Sequence, residues 1–126
     1  MLIKVALFGM SEKGRFNYPY TCQTLAELAD TFGNPPEDSL GLIFAIQAIM
    51  YEREVIFFRV QEEGFLEEDY IKGFEYLKDK VKSLDAICIP KVGNPIIIDK
   101  LDPICKKFNS IIITTEKDLF DYLIAK

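Results

Sequence analysis

The residues best suited to chemistry stand between Gly9 and Phe16, in the run Gly-Met-Ser-Glu-Lys-Gly-Arg-Phe. Holding a phosphate or another anion takes glycines, which let backbone amides approach the oxygens, and a cationic side chain beside a helix N-terminus. Ser11, Lys13, Gly14 and Arg15 supply the hydroxyl, the charges and the turn for such a cradle. In a sheet of parallel strands the loops at the carboxyl ends share one edge, so Lys91, Asn94 and Thr115, each just after an apolar run, would join the same anion site.

The spacing Gly9-x-x-x-x-Gly14 followed by Arg15 is similar to a P-loop only in outline. Arginine replaces lysine, no Ser or Thr follows to hold magnesium, and an aromatic stretch with Pro19 replaces the helix. Nucleoside triphosphate hydrolysis is therefore not expected. The dinucleotide fingerprint G-x-G-x-x-G is missing, as are the hydroxyl-rich loop of flavin sites and the aspartates of receiver domains.

Histidine is absent from all 126 residues, which removes Ser-His-Asp and Cys-His catalysis, His-ligated zinc and the usual general base near neutral pH. Cys22, Cys88 and Cys105 are odd in number and widely spaced, so a disulfide framework is not expected and the cytoplasm is the expected compartment. Of these, Cys22 would open a helix, where the N-terminal field favours a thiolate. Glu62, Glu63, Glu67, Glu68 and Asp69 cluster, but their spacing fits no calcium loop and part of the cluster is a solvated helix start, so no metal is expected. The sequence names no catalytic residue and no cofactor.

A net charge of −5 and a pI near 4.8 argue against nucleic acid or an anionic membrane surface as a partner, since both attract basic patches. The longest uncharged apolar run, Leu40–Tyr51, is far shorter than the roughly 20 residues of a membrane span. Met1-Leu2-Ile3-Lys4 reads as the start of a strand, not as a signal peptide.

The elements that must position these residues follow from apolar periodicity. Leu2–Phe8 is a strand ending at Gly9, Met10–Tyr20 a long loop, and Thr21–Phe32 a helix with Thr21 or Thr24 as its cap and Gly33 as its stop. Asp38 or Ser39 would cap a helix over Leu40–Tyr51, and a strand around Val55–Phe58 follows. Next come a helix over Leu66–Val81, a strand at Ala86–Pro90 and a helix from Pro95 to Phe108 that Pro103 should kink or split into two short helices. Ser110–Thr114 is a fourth strand, and Thr115 with Asp118 opens a last helix. Alternation of this kind, with unbroken apolar strands, predicts an α/β chain: one domain over residues 1–126, a small three-layer Rossmann-like or flavodoxin-like fold with four parallel strands in the order 2-1-3-4.

The helix over Leu40–Tyr51 has apolar residues on every face, so a single layer of sheet cannot cover it. Another helix or a second copy of the chain must supply the rest. Phe16, Tyr18 and Tyr20 add large apolar area in a loop, and such residues are enriched at protein interfaces. Together with Ile43, Ile46 and Met50 they point to a non-catalytic module that forms a homo-oligomer or binds another protein. The competing expectation is a small-molecule-binding or enzymatic domain with a phosphate-bearing ligand at the sheet edge.

Overall fold

A computed structural model describes residues 3–125. The sequence reading starts its first strand at Leu2; Met1 and Leu2 lie outside the described residues, and the strand is described from Ile3. That strand, β1 (Ile3–Gly9), is followed by β2 (Pro19–Cys22), α1 (Leu25–Phe32), α2 (Gly41–Met50), β3 (Arg53–Arg59), α3 (Glu68–Lys80), β4 (Ala86–Cys88), α4 (Pro95–Phe108), β5 (Ile111–Ile113) and α5 (Glu116–Ala125).

The chain is α/β, with a mostly parallel sheet in the order β2-β3-β1-β4-β5. Strands β3, β1, β4 and β5 are parallel to their neighbours, whereas β2 pairs antiparallel with β3, Tyr20 opposite Phe57 and Cys22 opposite Val55. The expected sheet of four strands, all parallel, is thus corrected to five strands of mixed direction. The cause is local: Pro19-Tyr20-Thr21-Cys22 has the aromatic and β-branched character of a strand, and proline is tolerated on an edge. Residues read as the end of a loop and the start of a helix therefore extend the sheet.

Alternate residues of the central strands feed two cores. Val5, Leu7, Val55 and Phe57 meet α1, α2 and α5 on one face. Ala6, Phe8, Ile56 and Phe58 meet α3 and α4 on the other. Both faces of β1 and β3 are buried, which is why their sequences show no polar alternation. Phe8 stacks on Phe58 with ring centroids 4.6 Å apart, and α3 comes close over them at Gly73, where a Cβ would stand 2.3 Å from the Phe8 ring.

Three helix details depart from expectation. Helix α1 starts at Leu25 under a capping box of Thr24 and Glu27, so Cys22 belongs to β2 and not to a helix N-terminus. Helix α4 runs through Pro103 without interruption; Pro103 and Asp99, whose carbonyl loses its partner, are both exposed, so water can satisfy the freed carbonyl. Helix α2 has Leu40 at its N-cap position with no side-chain cap of its own, in place of Asp38 or Ser39. The cap arrives from elsewhere in the chain.

Candidate functional site

The connection from β1 to β3 lays α1 and α2 on one face of the sheet and that from β4 to β5 lays α4 on the other, so a crevice should open between the carboxyl ends of the neighbouring strands β1 and β4. That is where ligands of doubly wound sheets bind. Here the loop after β3 fills it. The Glu63 side chain, 2% exposed, accepts hydrogen bonds from Met10 N at 2.8 Å, Leu40 N at 2.8 Å and Gly41 N at 2.9 Å. These are the first amide past β1 and the amides opening α2, the donors an anionic ligand would use. A carboxylate of the chain itself occupies the cradle.

The backbone is shaped for this closure. Gly9 and Gly41 face each other so closely that a Cβ on either would stand 2.4 Å from the other's Cα. Gly64, at φ +92°, brings the loop against Lys91, where an added Cβ would meet the Lys91 carbonyl oxygen at 2.4 Å. Tyr70, fully buried below, accepts the Gly64 N–H at 2.8 Å, and burial pushes its hydroxyl pKa up to about 12. Glu12 plays a similar part at the other end of the α1–α2 linker, accepting Asn34 N at 3.1 Å.

Most of the residues expected to hold an anion take part in building the edge, while the Lys13 and Arg15 side chains are exposed to solvent. Ser11 is buried and donates to the Lys13 carbonyl at 2.7 Å; the Lys13 amide donates to Phe32 O at 3.1 Å while its side chain is exposed. The Gly14 carbonyl accepts from Arg59 at 2.7 Å, and the exposed Arg15 lies over the Tyr18 ring at 4.5 Å. Lys91 Nζ donates to the Asp38 carbonyl. Asn94 caps α4 through Ile96 N at 2.9 Å, and Thr115 caps α5 through Asp118 N at 3.2 Å. Thr115 follows β5, two strands from β1, or about 10 Å along the sheet. The partners of the seven differ from one residue to the next.

Within the aromatic trio, Tyr18 and Tyr20 stay in contact, with ring centroids 5.1 Å apart, while each ring also has a partner of its own. Phe16 lies under Arg59 at 4.1 Å, Tyr18 under Arg15, and Tyr20 turns inward to meet Phe32 edge-on at 5.2 Å. Cys22 is buried in β2 and not at a helix N-terminus, and its thiol is pushed up to about 11 by burial and then by Glu27. Burial also raises Cys88 and Cys105, and all three cysteines are free. Among the described residues no group of three or more Cys, Asp or Glu side chains is arranged to hold a metal. No described helix is long and apolar enough to cross a membrane.

The role of Glu63 escapes sequence reasoning because its partners lie 22 to 53 residues away. The one available hint is an apolar helix start whose own cap residues go unused.

The other surface that could act is the outside of α2. Its inner residues Leu42, Phe44, Ala45, Ala48 and Ile49 are buried, while Ile43 and Ile46 are half-buried and Met50 is 67% exposed. Helices α1 and α5 flank it, and they carry the exposed Leu25, Phe120 and Ile124 on the same layer. Against known protein families, curated proteins and solved structures, the chain matches none.

Proposed function

We infer that this chain is a non-catalytic module that acts by protein contact, with its own copy or another protein, through the outer face of α2. The observation that carries this reading is the stripe Ile43, Ile46 and Met50 on an otherwise apolar helix, half-buried at Ile43 and at Ile46, which also packs against the core, and open to solvent at Met50. Phe16, Tyr18 and Tyr20 contribute less, since two lie under arginines and the third packs inward. The layering of helices on both sheet faces supports a small Rossmann-like or flavodoxin-like domain with an antiparallel edge strand. The three free thiols suit a cytoplasmic setting.

The competing reading, an anionic ligand at the sheet edge, has Glu63 against it, because a buried carboxylate in the cradle repels a phosphate. Native mass spectrometry of protein purified without added ligand tests the two. A bare polypeptide mass, with an assembly that dissociates in Met50→Glu, is expected. A reproducible small-molecule adduct that Arg15→Ala removes would overturn the reading.

A further inference from the structure

We propose that the occupant of the α2 face is a second copy of the chain, docked about a two-fold axis so that the two α2 helices lie side by side. The proposal rests on the protein-contact reading and commits it to one partner.

Area is the first argument. Leu25, Met50, Tyr51, Phe120 and Ile124 are 46, 67, 42, 52 and 55% exposed. At about 200 Å² for a large apolar side chain, they present on the order of 500 Å². Ile43, Ile46, Ala26 and Ala29 on the same layer bring the face close to the roughly 800 Å² that each partner contributes to a stable interface.

Charge is the second. A two-fold contact lays a surface on itself, so any excess of one sign meets its like. From Leu40 to Tyr51 there is no charged residue, and on α5 the nearest charges, Glu116 and Lys117, are of opposite sign. Lys117 is moreover paired with Asp121 at 2.9 Å. Glu27 and Asp30 on α1, with Glu116 and Asp121 against Lys117 on α5, leave the flanks mildly negative, so a second copy would seat its α2 on the uncharged α2 between them.

Shape is the third. Helix α2 is a ridge with a groove on either side: about 500 Å³ against α5, reaching Gln47, Tyr51 and Phe120, and about 210 Å³ against α1, reaching Leu25, Ala29 and Ile46. A ridge beside a groove is self-complementary under two-fold rotation, since each ridge can enter the other's groove.

Sedimentation and thiol cross-linking on the full chain test the proposal. The wild type should sediment as a dimer, and Met50→Glu, which removes little packing from the protomer, should sediment as a monomer with an unchanged circular dichroism spectrum. Gln47→Cys in a Cys105→Ser background should form a covalent dimer on mild oxidation, because residues at the middle of α2 meet their own copies near the axis. A wild-type chain that stays monomeric at high concentration overturns the proposal while leaving the protein-contact reading standing. A dimer that survives both Met50→Glu and Phe120→Glu, and in which Gln47→Cys does not cross-link, overturns both.

Discussion

The Glu63 carboxylate, carried on the loop after β3, accepts the N–H of Gly41 at 2.9 Å and so caps a helix that begins 22 residues earlier in the chain. The same carboxylate holds Leu40 and Met10, which ties three segments together at one buried point. Its negative charge also offsets the positive end of the α2 dipole, in the place where a ligand's charge would otherwise do so. The closure of the sheet edge and the start of α2 are one interaction.

Removing that interaction should cost stability directly. Glu63→Ala strands three amide donors in a buried place and is expected to lower the unfolding free energy by about 3 kcal/mol. Glu63→Gln, which keeps one acceptor oxygen, should recover part of the loss. Urea denaturation of the two variants measures both; a change below about 1 kcal/mol in Glu63→Ala would mean that water replaces the carboxylate at no cost.

The contact of Gly9 with Gly41 makes a paired prediction. In Gly41→Ala the new methyl meets the Gly9 backbone at 2.4 Å, which cannot swing aside as a side chain would, so a loss of about 3 kcal/mol is expected despite the better helix propensity of alanine. Gly93→Ala meets nothing within 4 Å and should stay within about 0.5 kcal/mol of wild type. Thermal melts of both variants, compared side by side, check the contrast.

Thiol reactivity should follow burial. At pH 8 an aromatic disulfide reagent should titrate one cysteine per native chain, the half-buried Cys105, and reach Cys22 and Cys88 only in denaturant. Raising the pH to 10 should speed Cys105 yet leave Cys22 silent, since its thiol keeps its proton until about pH 11 and is 1% exposed. A Cys22 that reacted first at pH 8 would restore the nucleophilic role that its environment argues against.

Tyr70 should make the fold sensitive to alkali. Its hydroxyl titrates near 10 in the unfolded chain but at about 12 when folded, chiefly because burial disfavours the phenolate, with the Gly64 N–H opposing and Glu63 and Asp69 reinforcing the shift. Between those values the folded state binds the extra proton, so stability falls as pH rises from about 10 to 12 and is unaffected by this group below that window. Tyr70→Phe should therefore lose about 1 kcal/mol at pH 7, from the missing partner of Gly64, but decline less between pH 9 and 11 than the wild type. Equal declines in the two proteins would rule Tyr70 out as the cause.

Much of the fold can be read from periodicity alone. The apolar runs of β1, β3, β4 and β5, the apolar spacing within α3 and the cap at Thr115 depend on neighbours a few residues away, which a sequence displays. β2 was hidden because four residues after an aromatic, proline-containing stretch carry too little pattern to separate an edge strand from a loop. Pro103 leaves α4 unsplit because the carbonyl it frees belongs to the exposed Asp99, a matter of exposure and not of residue type.

By itself, the sequence determined the alternating strands and helices, the exclusion of histidine chemistry and the uncharged surplus of apolar residues on α2, because each is a property of composition or of local spacing. Only the tertiary structure decided that the sheet edge is filled by Glu63, that Ser11, Lys91 and Asn94 make capping and loop contacts, and that Ile43, Ile46 and Met50 line the outside of the layer. Those outcomes depend on which distant segments meet. Hydrogen bonds that close over 22 to 53 residues are set by the packing of whole elements, and no local pattern encodes them.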